Sequence, residues 1–349
     1  MEKQPVKHYI GLDVSMKESS ICIVDETGKI IYEGEEKTDP KLLAIRVKEK
    51  APSIEKIALE SGSLSNWLVI ELEKEGLPVI CVDARHMAAV LSTNPNKNDR
   101  NDARGIAQAV RAGYIRTVCI KSQNDVDISI MLTARKMLVG QRRSQKNTMR
   151  GLLKSYGIRI QTSGSQLFIK QVNEKILGLP LTCQLSIKAL IIAYEVIDKQ
   201  ISDLTNHLEK IAKEDKDVKR LMTIPGVGII TALSFKTVIK TPERFSDSRD
   251  VGAYLGMTPR EYSSGEIQKK GRISKCGHGQ MRSLLVEAAT VMLTRTKSWC
   301  KPKAWALKIA KKKGMKKAAV ALGRKLAVIM HRILITKEEF KFGEEAKAV

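Results

Sequence analysis

With 349 residues the chain is long enough for two or three domains, and 43% hydrophobic residues support folded cores and argue against wholesale disorder. It carries 61 Lys+Arg against 38 Asp+Glu, a formal charge of +23, which favours a polyanionic partner, nucleic acid before membrane. The six cysteines form no C-x-x-C pair, so neither a zinc knuckle nor a disulfide framework is expected. No apolar run approaches the roughly 18 residues of a membrane span, and a cytoplasmic protein with no membrane partner is expected.

In chain order, residues 8–13 and 20–25 read as strands, and Glu26-Thr27-Gly28 as a turn into a third strand at 29–32. Residues 40–50 read as a helix, 54–60 as a strand, 65–75 as a helix closed by Gly76, and 79–82 as a strand. Helical stretches follow from Ala84 and over 99–111. The order β-β-β-α-β-α-β-α is that of an α/β RNase H-like (RuvC-like) domain, expected over residues 1–125. Residues 126–157 read as a strongly basic helix; Arg135, Arg142, Arg143, Lys146 and Arg150 are its candidate nucleic-acid contacts.

Residues 157–178 have weak periodicity and read as a linker. Beyond them Ile187, Leu190, Tyr194, Ile197, Ile201, Leu204, Leu208 and Ile211 alternate spacings of three and four without a break. That heptad seam predicts a coiled-coil arm within 158–215, with a second subunit preferred as its partner. A mostly α-helical C-terminal domain is expected over 216–337, with a poorly ordered tail over 338–349. Pro225-Gly226-Val227-Gly228 lies between two apolar helical stretches, as in a helix-hairpin-helix turn, where Gly226 and Gly228 let backbone N–H groups face a phosphate. Residues 260–332 hold 19 Lys/Arg against three acids, the most basic stretch of the chain. Lys269, Lys270, Arg272 and Lys275 are candidate phosphate contacts there, whereas Lys311-Lys312-Lys313 is equally consistent with a solvated helix face.

Four carboxylates stand out. Asp13 ends the first strand, Glu60 ends the fourth, and Asp99 and Asp102 are three apart at a helix start, hence on one helical face. Neighbouring strands in an RNase H-like sheet bring the first two to one edge, so all four can converge. Clustered carboxylates repel unless cations neutralise them, and two divalent ions about 3.5–4 Å apart suit in-line phosphoryl displacement. Mg2+ (or Mn2+), two ions, is therefore the expected cofactor. Each residue also has an ordinary reading: Asp13 as a turn residue, Glu60 as a loop cap, Asp99 as an N-cap and Asp102 as a first-turn acid.

At this point the chain resembles the DEDD-type insertion-sequence transposases, related to Piv-type DNA invertases and bridge-RNA-guided recombinases. The motifs are Tyr9-Ile10-Gly11-Leu12-Asp13, Leu59-Glu60-Ser61-Gly62, Asn98-Asp99-Arg100-Asn101-Asp102, Ile224-Pro225-Gly226-Val227-Gly228, Gly256-Met257-Thr258-Pro259, Tyr262-Ser263-Ser264-Gly265 and Gly271-Arg272-Ile273-Ser274-Lys275. The resemblance implies that Asp13, Glu60, Asp99 and Asp102 form the catalytic tetrad. It also implies a serine nucleophile directly before a glycine, Ser264, with Ser263 as the competing position. From the residues alone, Ser263-Ser264-Gly265 reads as a plain turn. The implied partners are donor and target DNA, a structured guide RNA, and further copies of the chain in a dimer or tetramer. The residues leave open a metal-dependent nuclease of the Holliday-junction resolvase type, an invertase acting on one locus, and a non-catalytic nucleic-acid-binding protein.

Overall fold

A computed structural model describes residues 6–92, 98–161, 164–264 and 267–342. The chain divides into two compact units, Met1–Ser122 and Gln123–Val349.

The first unit contains β1 (His8–Val14), β2 (Glu18–Asp25), β3 (Ile30–Lys37), α1 (Pro40–Lys50), β4 (Ile54–Glu60), α2 (Ser65–Lys74), β5 (Val79–Val82), α3 (Ala84–Leu91) and α4 (Asp99–Arg111). The sheet order is β3-β2-β1-β4-β5. The first three strands form an antiparallel meander, and β4 and β5 add in parallel. This is the strand arrangement expected of an RNase H-like sheet.

Local chemistry sets the boundaries. Asp25 Oδ1 accepts the Thr27 and Lys29 N–H groups, and Gly28 takes φ 90°, closing the β2–β3 turn. Asp39 caps α1 by accepting from the Lys41 and Leu42 N–H groups, with Pro40 in the first turn.

The period-2 alternation of strands divides the sheet into two faces. Ile10, Leu12, Ile21, Ile23, Ile57 and Leu59 meet Leu43 and Val47 of α1 and Leu68 and Leu72 of α2. On the other face, Ala58 and Val82 pack with Met87, Ile106 and Val110, while Cys22 and Val24 pack with Ala103 and Ala107. Each fully buried Leu or Ile contributes about 1.5–3 kcal/mol.

The second unit contains α5 (Gln123–Lys154), α6 (Ser165–Ile176), α7 (Leu181–Glu214), α8 (Lys216–Met222), α9 (Ile229–Ile239), α10 (Asp250–Tyr254), β6 (Pro259–Ser264), β7 (Ile267–Ile273), α11 (Gly279–Thr294), α12 (Lys301–Lys313) and α13 (Met315–Thr336). Its main core gathers α8, α9, α11 and α13, with Leu322, Leu326 and Met330 of α13 fully buried.

Three expectations are corrected here. The heptad seam of α7 is covered within the chain. Ile128 and Leu132 of α5 share a core with Leu208 and Ala212, while Met149 and Leu153 share another with Ile187, Ile191 and Tyr194. The two helices therefore run antiparallel as an arm, with Ile187, Tyr194, Ile201 and Leu208 of the seam buried within the chain and Leu190, Ile197, Leu204 and Ile211 half-buried. The supposed linker contains a helix, α6, because Phe168, Val172 and Ile176 recur every four residues and are fully buried at the arm's tip. The tail begins anchored: the Phe340 N–H donates to Thr223 Oγ1 at 2.9 Å, and its ring packs against Phe342.

Candidate active site

Asp13 and Glu60 follow directly from strand alternation. Ile10 and Leu12 face α1 and α2, so Gly11 and Asp13 face α4; Ala58 faces α4, so Glu60 does too. The β1–β4 register pairs Leu12 with Leu59, which sets Asp13 beside Glu60 at the carboxyl ends of two parallel neighbours.

The turn after Glu60 is fastened on both sides. Ser61 Oγ accepts the Ala84 N–H at 3.1 Å, and Ser65 Oγ both accepts from Gly62 N and donates to Gly62 O.

Helix α4 brings the other two carboxylates to the same edge. At its far end Gln108 Nε2 donates to Gly28 O at 2.7 Å and Arg111 Nη1 to Glu26 O, at the β2–β3 turn, where β1 begins. In the middle, α4 lies directly on Gly11: a Cβ there would stand 2.2 Å from Ala103 O and 2.4 Å from Ala107 N. The first turn, with Asp99 and Asp102, therefore lies toward the end of β1 that carries Asp13.

Asn98, not Asp99, is the N-cap; its side chain accepts the Asn101 N–H at 2.7 Å. Neither the Asp99 nor the Asp102 carboxylate is committed to a partner among the described residues.

A feature the sequence reading missed holds α4 in place. Arg100 Nε and Nη2 donate to Glu33 Oε2 of β3, and Arg104 donates to both Glu33 oxygens at 2.8 and 3.1 Å. The Arg104 hydrogen bonds foremost, against an opposing push from burial, hold the Glu33 carboxyl below its ordinary range. The signal was present as an i, i+4 arginine pair on α4, but its partner is 67 and 71 residues away.

Because the folded-state value is depressed, this clamp stabilises the unit above the unfolded value of about 4.3 and is lost as pH falls through the folded one. Glu33→Gln is expected to lower the melting temperature near neutral pH and to flatten its acid dependence. Thermal melts across that range that are superimposable for the two proteins would contradict the clamp.

The four carboxylates share one edge, but among the described residues no three His, Cys, Asp or Glu side chains close into a metal-holding group. The convergence expected from sequence is thus not seen as a ligand group among the described residues. The donor set fits a hard divalent ion by its chemistry: carboxylate oxygens only, from three separate elements, two of them uncommitted.

In the second unit Ser264 is the last residue of β6, with Ile267 its Cα partner across the hairpin; Gly265 lies outside the described residues. This hairpin interrupts a domain expected to be mostly helical. Its base is rigid: Ser274 N–H donates to Thr258 O, Lys275 N–H to Gly256 O, and Arg282 Nη1 to Leu255 O and Cys276 O. Gly256 has φ 66°, and a Cβ there would meet Cys276 O at 2.0 Å, so only glycine fits. Lys269 and Lys270 lie on β7; Arg272 is exposed, and Lys275 is exposed with φ 58°.

The remaining candidate contacts divide into two groups. Arg135 Nε donates to Thr205 Oγ1, and burial, then Arg142, pushes the Arg135 guanidinium down from its ordinary value. Arg142 pairs with Asp198. These two are partly spent on holding α5 to α7. Arg142, Arg143 and Lys146 line a cavity of about 280 Å³ with Ser165 and Tyr194, and Arg150 and Lys154 line another of about 470 Å³.

Residues 216–239 form a helix–turn–helix pair, α8 and α9, around the expected glycine turn. Gly226 has φ 86° and lies against α11, where a Cβ would meet Ala288 O at 2.4 Å; Gly228 is exposed at the N-cap of α9.

Comparison with known proteins places this arrangement in a family. The DEDD transposase profile of the IS110 type matches residues 10–158, and the "Transposase IS116/IS110/IS902 family" profile matches residues 218–304. The transposase for insertion sequence element IS1111A of Coxiella burnetii is 29% identical over 340 residues, covering 96% of this chain and 91% of that one. A putative transposase of Sinorhizobium fredii, y4pF/y4sB, is 30% identical over 253 residues, 71% of this chain and 65% of that one. Among solved structures, Thermus thermophilus RuvC is similar over 32% of this chain and 99% of its own, with 12% identity and a TM-score of 0.25. No helix among the described residues is long and apolar enough to cross a membrane. The first profile spans the first unit and continues through α5, the second lies within the second unit, and the chain belongs to the DEDD-type insertion-sequence transposases, enzymes that cut and rejoin DNA.

Proposed function

We propose that the chain recombines DNA of a mobile element through a serine–DNA intermediate, with Asp13, Glu60, Asp99 and Asp102 as metal ligands and Ser264 as nucleophile. The observation that carries the metal assignment is the shared sheet edge: two parallel strand ends and the first turn of α4 present four carboxylates on one face. Two Mg2+ or Mn2+ ions, when bound, supply charge stabilisation for the attacking and leaving oxygens of an in-line displacement.

The chain's own residues do the rest. Ser264 Oγ attacks the DNA phosphorus, a phosphoserine ester forms, and the 3′ oxygen leaves; reversal onto a second DNA end restores the serine. Arg272 and Lys275 hold non-bridging phosphate oxygens. Ser264 rests on the resemblance and on its place at the end of a hairpin with a rigid base.

The further partners follow from the chemistry. Strand exchange joins two DNA partners and requires a dimer or tetramer. The formal charge of +23 suits a structured guide RNA as well as DNA, and base pairing by that RNA sets sequence choice while the protein reads backbone shape.

The test is a recombination reaction with the element's flanking RNA, donor and target DNA and Mg2+, resolved on denaturing gels. A protein–DNA adduct that needs both Ser264 and Asp13 is expected. Cleavage that persists without an adduct in Ser264→Ala would establish the competing reading, a metal-dependent nuclease. An adduct lost in Ser263→Ala and kept in Ser264→Ala would move the nucleophile by one residue.

A further inference from the structure

Helices α12 and α13 form a hairpin about Gly314, which takes φ 84°. Together they carry eleven Lys/Arg and no Asp or Glu. Trp305, Lys308, Ile309 and Lys312 lie at i, i+3, i+4 and i+7, one face of α12, and Lys317 and Ala321 lie at i and i+4 on α13. These side chains and Lys313 line a cleft of about 380 Å³. The Trp305 indole is 38% exposed, and Lys325 Nζ stands 4.5 Å from its ring centroid.

Ion pairing does not account for these lysines: among the described residues, none of Lys308, Lys312, Lys313 and Lys317 pairs with a carboxylate. A solvated helix face has no use for an accessible indole between the charges. Only three tryptophans occur in the whole chain, so base-stacking surface is scarce and this one sits where phosphate would be drawn. Aromatic rings set in a cationic groove stack unpaired bases, whose π-faces a duplex keeps covered.

We propose that the α12–α13 cleft binds an unpaired nucleotide of a nucleic-acid strand, its base stacked on Trp305 and its phosphates held by Lys308, Lys312 and Lys317. The strand is DNA opened during exchange or an RNA loop, and both present the same base and phosphate.

The test uses the full chain. In a Trp67→Phe, Trp299→Phe background Trp305 is the sole indole, and its emission is titrated with an oligothymidylate, an oligouridylate, a duplex of equal length and polyglutamate. Quenching by single strands, and not by the duplex or polyglutamate, is expected; the tighter of the two single strands identifies the source. In the otherwise unaltered chain, Trp305→Ala should weaken oligothymidylate binding about tenfold and Trp305→Phe should restore most of it. Replacing Lys308 or Lys312 by Ala should each reduce the salt dependence of single-strand binding by about 0.7 in logarithmic slope.

Quenching by polyglutamate would overturn the proposal in favour of an acidic protein partner. Equal quenching by the duplex would make the cleft a general phosphate surface. Unchanged affinity in Trp305→Ala would remove stacking altogether. Adduct formation reports the proposed recombination chemistry separately, so the two readings fail independently.

Discussion

Asp13→Asn is expected to lower Mg2+-dependent DNA cleavage by roughly 10²–10³-fold or more, the loss that follows when several kcal/mol of charge stabilisation is removed. The fold should survive. Asp13 sits beside Glu60 at the strand ends, and Asn keeps its shape while deleting one charge from an edge with four carboxylates. In the absence of metal that deletion relieves repulsion, so the melting temperature should be unchanged or higher than that of the unaltered chain. The stabilisation that Mg2+ gives the unaltered protein by binding only the folded state should shrink. Melting curves with and without Mg2+, run beside the cleavage assay, separate a ligand from a structural residue. Full cleavage by the variant, or a large fall in stability without metal, would remove Asp13 from the site. Asp102→Asn, on an uncommitted carboxylate across from it, should behave the same way.

The second large effect concerns a residue with no functional group. Gly11→Ala places a methyl carbon 2.2 Å from Ala103 O and 2.4 Å from Ala107 N, both main-chain atoms that cannot swing aside as a side chain would. Helix α4 must lift from β1. Overpacking of this kind costs about 1–3 kcal/mol, or on the order of 10 °C in the melting temperature of a unit this size. The same shift carries Asp99 and Asp102 away from Asp13 and Glu60, so cleavage should fall together with stability and the Mg2+ requirement should rise. A melting temperature equal to that of the unaltered chain would show that α4 does not rest on Gly11.

The contrast between these variants shows what was legible in the sequence. The sheet was readable because its strands are short apolar runs bounded by turn residues, and the two-residue period of strand geometry assigns Asp13 and Glu60 to the face that α4 covers. The closeness of α4 to Gly11 is a tertiary fact that no local pattern encodes. The Glu33 clamp was invisible for the same reason, its partners being far apart in the chain.

Helix α6 was read as linker because only Phe168, Val172 and Ile176 mark its buried face, and the apolar Leu167 and Ile169 beside Phe168 blur that spacing. The β6–β7 hairpin was missed because its strands are rich in Lys, Arg, Ser and Glu and carry little apolar alternation. The seam of α7 was readable, but its partner α5 was not. Only Ile128, Leu132, Met149 and Leu153 are buried along 32 residues of α5, with Arg135 and Arg142 between them. Ser264 carries no signal of its own in the sequence, and the role proposed for it there rests on the resemblance.

The polar contacts inside the arm have a consequence for how it transmits force. Arg142 pairs with Asp198, Asp198 also accepts from Ser165 Oγ, and Ser165 Oγ in turn accepts from Tyr194, tying three helices at one level. Hydrophobic seams alone tolerate slippage by a heptad, since one Ile or Leu layer replaces another. Here a slip of seven residues, about 10 Å along the axis, would part Arg142 from Asp198 and undo the Ser165 and Tyr194 contacts at the same level; the ion pair itself is about a third exposed and is worth up to about 1 kcal/mol. The network therefore favours one phase of the arm. A displacement at its tip core is then passed toward its base as rotation of the paired helices more than as sliding between them.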